Sequence, residues 1–560
     1  MKTSCPSIPD TSARLTAKAW EMFAAELSFY TSQPVVDGAW IFPETGMDEP
    51  SQVGQGRWFM VLATALIAGR GKRNDLLAAL ADCGTYLLRA RRPSGRIDLR
   101  NCNADSGPDT AFLLEQIHSI LKLVDLLAPT DDDLANALKP AIAFARDAAS
   151  AMGDAGIHTP NHRWAVASAI ALSITRWPEM RVGLEPVLKA FLAEEPDLDA
   201  DGAFIERSVA VYDAVTIRSF LNIHQSVGWP AGLEAARRNM EFDWTLFHAD
   251  GTVDTRLSHR YDLGSRPVPL SLVTAWLQLA RVDANPLAAQ RASWIFEQVP
   301  RDIPNVRHLI VPVIGELLRG NSFVNESSPP GDIEIFHSAN ALVRIRRSRT
   351  SISLHGDNTC PASILHGRIA LAAIRAGQSY FGHGRFLGNE IRPVSGGWEL
   401  SYRGHLPEYP LGYSQALGEK VPPSAWCESF SRRKQRSVPP CRSRLQFGLL
   451  ESGDGLRIVY ESVEGLDGIP AQITFDFEPG PRWESGSLAF QPAAGQTLVL
   501  KEGFGRMVSG TDWLEIGPGH SGHLPWEMRD YPKVESLVRV AIPLVTPFTH
   551  ELTIRWNVAS

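Results

Sequence analysis

Three stretches of the 560-residue chain gather residue types able to move protons on and off a substrate. In HTPNHRWAVASAIALSI, Thr159 reads as an N-cap and Pro160 as the first helical residue, which puts Asn161 and His162 in the first turn. Free backbone N–H groups and the positive helix end favour an anion there; Asn161 can donate to a carboxylate and His162 can take or give a proton. The plainer alternative is a capped helix whose histidine is structural. In DLDADGAFIERSVAVYDAVTIRSF, a loop with Asp201 and Gly202 leads into Glu206, Arg207 and Tyr212. Arg207 is a fixed cation, and Tyr212 becomes a better proton donor if a cation lies beside it. Positions 207 and 212 do not share a face of an ideal helix, so Arg207 is expected in the loop or at the helix start. An Arg–Glu pair beside a half-buried tyrosine is the alternative. In TVDTRLSHRYDLGSRP, His259, Arg260, Tyr261 and Asp262 crowd a non-periodic stretch between helical segments, where loop residues can line a site.

Weaker candidates surround these. GAWIFPETGMDEPSQVGQGRWF interleaves Trp40 and Trp58 with Glu44, Asp48, Gln52 and Arg57, a mixture that suits saccharide subsites and equally suits packing and capping. NCNADSGPDTAF offers Asn101, Asn103 and Asp109. SRRKQRSVPPCRSR holds Arg432, Arg433, Lys434, Arg436, Arg442 and Arg444, able to attract an acidic polymer or simply to form a solvated loop. The chain has no Walker loop, no GxGxxG after a strand, no HExxH and no GxSxG, so nucleotide, zincin and α/β-hydrolase chemistries lack their signatures.

The elements that must carry these residues change character along the chain. Up to about residue 320, apolar residues recur at spacings of three and four in RWFMVLATALIAG, NDLLAALADCGTYLLRA, DTAFLLEQIHSILKLVDLL, DLANALKPAIAFARDAASAM, NHRWAVASAIALSI, YDAVTIRSFLNIHQSV, LSLVTAWLQLARV and VRHLIVPVIGELLRG. About ten to fourteen helices joined by short loops cannot share one simple bundle core; a toroid of helical hairpins or a solenoid solves this, and since no strict repeat is seen an (α/α) toroid, an incomplete barrel, is expected over 1–322. A linker follows at 323–333, marked by the Gly-, Ser- and Pro-rich GNSFVNESSPPGD over Gly320 to Asp332. From 334 to 560 the period becomes two, and runs such as LRIVYESV, AQITFDFEPG and HELTIRWNV predict a large antiparallel β-sandwich.

Composition narrows the class. With 44% apolar and 21% charged residues the chain can bury cores, in about two to four domains. A net charge of -7 argues against a general nucleic-acid binder, and no apolar run approaches a membrane span. The first residues carry no apolar signal core, so a cytoplasmic protein is expected, or a periplasmic or secreted one from which a leader has been removed. The six cysteines have neither disulfide-framework nor zinc spacing and read mainly as buried thiols.

Asn-His on one helix, an Arg/Tyr segment about 45 residues later and a β domain behind them resemble the group of polysaccharide lyases that includes chondroitin AC, alginate and hyaluronate lyases. PNHRWA is similar to the NNHxxW segment of alginate lyases, which adds Trp164 to the candidates. DGAFIERSVAVY is similar to the DGSFIQH segment of hyaluronate and chondroitin lyases, with Arg207 standing where that motif has His. IFHSANALVRIRRS resembles the start of their β domain.

The resemblance implies β-elimination on a uronic-acid-containing poly- or oligosaccharide, leaving a 4,5-unsaturated uronate. Asn161 and Arg207 would neutralise the carboxylate, His162 would be the base, and Tyr212 the acid or both acid and base, with Tyr261 in reserve. Trp40, Glu44, Gln52, Arg57, Trp58, Asn103, Trp164, Glu206, His259, Arg260 and Tyr261 would bind substrate, and no metal or cofactor would be needed. The competing readings are a glycoside hydrolase, which needs two carboxyl groups across the scissile bond from among Glu44, Asp48, Asp201 and Glu206, and a non-catalytic carbohydrate-binding protein.

Overall fold

The computed structural model describes residues 10–41, 51–303, 307–380, 384–404, 412–437, 439–524 and 533–558. Its contacts divide the chain into two compact units, Met1–Phe247 with Gly251–Pro330, and His248–Asp250 with Gly331–Ser560.

Among the described residues the first unit contains twelve α-helices: α1 (Thr11–Thr31), α2 (Gln52–Ile67), α3 (Arg73–Ala90), α4 (Gly107–Leu127), α5 (Asp132–Ser150), α6 (Pro160–Arg176), α7 (Arg181–Leu192), α8 (Tyr212–Val227), α9 (Pro230–Leu246), α10 (Leu270–Asp283), α11 (Pro286–Gln298) and α12 (Ile310–Leu318). The even-numbered helices pack in succession, α2 on α4, α4 on α6, α6 on α8, α8 on α10 and α10 on α12, and α12 packs back on α2. The odd-numbered helices lie against them: α3 on α2 and α5, α7 on α6, α9 on α8, α11 on α10. Sequence composition separates the two sets. α6 is alanine-rich and buried around most of its circumference, as a helix flanked on several sides must be. α5 instead buries only the stripe Leu134, Ala137, Leu138, Ala141, Phe144, Ala145, Ala148 and Ala149. Its crossing with α3 is close enough to require Gly84, where a Cβ would come within 2.8 Å of the Ala141 nitrogen.

The expected linker carries no helix or strand between Leu318 and Ile333, yet it is docked rather than loose. Phe323 is buried and stacks on Phe296 at 4.7 Å, and the Ser12 hydroxyl donates to its carbonyl at 2.6 Å.

The second unit is built on an eight-stranded and a nine-stranded sheet. Inward residues of both, among them Ile352, Ile374, Ile473 and Val540 of the first and Leu445, Ile458, Leu514 and Ile554 of the second, form one apolar core. Pairing is antiparallel except where Thr497–Val499 runs parallel to Val538–Val545. In the basic stretch, three residues meet an acid: Arg432 pairs with Glu419, Arg442 with Glu464 and Arg444 with Glu461, while Arg433 lies over the Trp426 ring. Among the described cysteines, Cys83, Cys360 and Cys441 are buried and Cys102 and Cys427 exposed, all as free thiols. No described helix is long and apolar enough to cross a membrane.

Candidate active site

The site grows from the first turn of α6. Thr159 is extended (φ -139°, ψ 157°) and Pro160 begins the helix, but the Thr159 hydroxyl does not cap it. It donates to Asn161 Oδ1 at 2.6 Å, leaving Asn161 Nδ2 buried and without a hydrogen-bond partner among the described residues. The cap comes from another segment: Glu206 Oε2 accepts the Asn161 backbone N–H at 3.2 Å. A carboxylate at this positive helix end is favourable, so the anion expected there is supplied by the protein itself. His162 is 8% exposed, with Nδ1 buried and unpartnered and its ring against His158 (4.5 Å) and Phe112 (5.9 Å). Burial, reinforced by His158 and Arg260 and opposed by Asp109, pushes its pKa down to about 4. The imidazole is therefore neutral near pH 7 and able to accept a proton.

The second segment reaches the site through a tight turn. Asp199 Oδ1 accepts the N–H groups of Asp201 and Ala203, and Gly202 sits at φ +98°. A Cβ on Gly202 would come 2.9 Å from the Arg238 carbonyl of α9, so the turn needs glycine for space as well as for conformation. Arg207 is itself left-handed at φ +50°, a strained geometry for a side chain of its size, and α8 begins only at Tyr212. Arg207 thus lies in the loop, and the helical-face objection to its sharing a site with Tyr212 does not apply.

The third segment closes on both. His259 N–H donates to the Glu206 carbonyl at 3.0 Å, and Arg260 Nε approaches Glu206 Oε1 at 3.6 Å. The Arg260 guanidinium lies over the Tyr212 ring, 4.4 Å from its centroid. Tyr212 Oη donates to Tyr261 Oη at 3.1 Å, and Tyr261 is 77% exposed. Burial raises the Glu206 pKa against the opposing pull of Arg260 and the Asn161 N–H. At the start of α8, burial raises the pKa of the fully buried Asp213, and it raises that of the equally buried Asp243, where Asp213 adds to the effect, so the pair retains a proton near neutral pH.

The fold thus joins Asn161, His162, Glu206, Tyr212, His259, Arg260 and Tyr261, with Arg207 close enough to His259 to depress its pKa after burial has done so. Asn103 is tied in at the edge, since its Nδ2 donates to Asp109 Oδ2 at 2.9 Å and Asp109 acts on His162. Other candidates serve the core. Trp40, Trp58 and Trp164 are buried and present no open face for a sugar. Trp164 Nε1 donates to Asp197 Oδ2 at 2.8 Å while its ring stacks on Trp229. Gln52 is buried and clamps α2 to the Ala90 carbonyl and the Asp98 N–H, and Arg57 is half-buried on α2. Glu44 and Asp48 lie outside the described residues. Sequence reasoning passed over His158, although its spacing of four from His162 was a usable signal. It also passed over Ser208, Ser258 and Asp243, for which no local signal exists.

No protein-family model matches the chain, and no curated protein matches it in sequence. Solved structures do match in fold. Heparinase III aligns with a TM-score of 0.54 at 10% identity, over 99% of this chain and 86% of its own. A Paenibacillus xanthan lyase aligns with a TM-score of 0.54 at 9% identity, over 100% of this chain and 58% of its own. A heparinase III with methylated lysines aligns with a TM-score of 0.50 at 10% identity, over 90% of this chain and 77% of its own. The chain has a polysaccharide lyase fold, with a helical N-terminal half and a sheet-rich C-terminal part.

Proposed function

We propose that this chain, which shares the fold of polysaccharide lyases, is itself a carbon–oxygen lyase that cleaves a uronic-acid-containing poly- or oligosaccharide by β-elimination. In this reading the helical unit is an (α/α) toroid that carries the chemistry, and the two sheets form a β-sandwich. One observation carries it: Glu206 is shared by Asn161, the neighbour of His162 at the start of α6, and by Arg260, whose guanidinium lies over Tyr212, itself bonded to Tyr261.

Elimination breaks the C5–H and C4–O4 bonds of the uronate and forms a C4=C5 double bond. The C5 proton becomes removable only if the negative charge that develops on the carboxylate is stabilised where it forms. The Asn161 Nδ2 amide, spare once Oδ1 is held by Thr159, and the Arg207 guanidinium are suited to that task. His162, kept neutral by burial, takes the C5 proton. Tyr212 protonates the departing O4, and the Arg260 cation over its ring stabilises the phenolate left behind. The hydrogen bond from Tyr212 to the exposed Tyr261 offers a route by which the phenol is re-protonated from solvent. No step in this scheme calls for a metal or a cofactor.

The test is a panel of hyaluronan, chondroitin, heparin-type, alginate, glucuronan and pectic substrates followed by ultraviolet absorbance. A rise in absorbance with each chain cleaved is expected. New reducing ends without absorbance mean hydrolysis and refute the reading.

A further inference from the structure

The geometry points to Asp262 as the positioning residue that sets the spacing between Tyr212 and Arg260, an inference that rests on the lyase reading above. One oxygen, Asp262 Oδ1, accepts the hydroxyls of Ser208, at 3.0 Å, and of Ser258. Each serine oxygen in turn accepts a backbone N–H: Ser208 Oγ that of Tyr212 at 3.2 Å, and Ser258 Oγ that of Arg260 at 3.0 Å. A hydroxyl has one proton to give, and here each gives it to the carboxylate, which leaves a lone pair aimed at the amide. The result is a continuous ladder, Tyr212 N–H to Ser208 to Asp262 to Ser258 to Arg260 N–H. It fastens the start of α8 to the loop that supplies Arg260, two segments about 50 residues apart in sequence.

All three rungs are buried, so solvent cannot replace a lost bond at no cost. Among the described residues Asp262 makes no other side-chain hydrogen bond, and its second oxygen is buried without a partner. With 5% of the residue exposed, it has little surface to offer a substrate. What it controls is the register in which the Arg260 guanidinium lies over the Tyr212 ring at 4.4 Å. Charges close to Asp262 are Glu206 and Asp213, so an amide in its place keeps the accepting oxygen and relieves repulsion.

The experiment compares wild type, Asp262→Ala, Asp262→Asn and Ser258→Ala in the full chain. It measures hydrogen exchange in the peptides that contain Tyr212 and Arg260, thermal stability, and kcat and KM on whichever uronate substrate the wild type cleaves. Asp262→Ala should speed exchange in both peptides and lower kcat by at least about tenfold, with KM within about twofold, because small misplacements act on the transition state. Asp262→Asn should bring kcat back to within about threefold of wild type. Should Asp262→Ala fail to fold, Ser258→Ala removes one rung and should speed exchange in the Arg260 peptide alone while lowering kcat. Faster exchange with an unchanged kcat, or an Asn variant as impaired as the Ala variant, overturns the proposal. A wild type inactive on every substrate overturns the lyase reading instead, and exchange then decides the ladder by itself.

Discussion

Replacing His162 by Gln should make the protein more acid-resistant than wild type, by an amount the structure sets. The ordinary histidine pKa of 6.5 falls to about 4 in the folded chain, mainly through burial. Between those values the unfolded chain holds a proton on residue 162 that the folded chain does not, so wild type loses stability as the pH falls through this window. At about 1.4 kcal/mol per pH unit, the loss is about 2 kcal/mol at pH 5 and approaches about 3 kcal/mol once pH drops below 4. Gln has no proton to bind, and pH-dependent contributions from distant groups cancel in the difference. Chemical denaturation of both proteins at pH 7 and pH 5 should therefore show the variant gaining about 2 kcal/mol on wild type. The same residue can be followed directly with carbon-labelled histidine and NMR, where its signal should stay unprotonated down to about pH 5. A difference independent of pH, or a His162 signal titrating near 6.5, would refute the reasoning that burial keeps this base neutral.

Three more predictions follow from the same contacts. Tyr212→Phe keeps the ring beneath Arg260 and loses only a hydroxyl bonded to an exposed partner, so kcat should fall by about a hundredfold or more while stability changes by less than about 0.5 kcal/mol; an unchanged kcat contradicts it. Tyr261→Phe should cost less than about tenfold in kcat, since water can stand in for an exposed hydroxyl, and a loss as large as that of Tyr212→Phe would show that Tyr261 itself meets the substrate. Glu206→Ala strips the Asn161 N–H of its acceptor and should cost about 1–3 kcal/mol in thermal or chemical unfolding. Glu206→Gln keeps an acceptor, and because burial raises the pKa of Glu206, the wild type loses stability as pH rises through the carboxylate range. The Gln variant should thus gain on wild type from pH 4 upward, and the opposite slope contradicts the assignment.

What the sequence disclosed depended on how local each signal was. The spaced apolar run YDAVTIRSFLNIHQSV coincides with α8 at Tyr212–Val227, because a helix packed against α6, α9 and α10 needs apolar residues on more than one face. α7 was not singled out since it buries only Leu184 and Leu188. The hairpin Glu390–Val394 with Gly397–Tyr402 was missed because its outer strand is mostly solvated and lacks clean alternation. Asn161, His162, Tyr212 and Arg260 stood out by type, and the fold brings them together. The role of Glu206 as the cap of α6 and the Asp262 ladder were not legible, because Asn161 lies 45 residues from Glu206 and Ser208 lies 54 from Asp262, and no local pattern links them. The tryptophans misled for a physical reason: a large amphipathic ring suits a sugar face and a protein core alike, and Trp40, Trp58 and Trp164 went to the core.

The most direct measurement is the mass balance of cleavage. A defined uronate-containing oligosaccharide from the substrate class that the protein attacks is digested in heavy-oxygen water, and the fragments are weighed by mass spectrometry. β-Elimination predicts fragments whose masses sum to that of the parent, with no heavy oxygen taken up in the bond-breaking step and one fragment bearing the unsaturated uronate. Fragments that together exceed the parent by one water, carrying the heavy oxygen, would contradict the assignment of this site as a lyase.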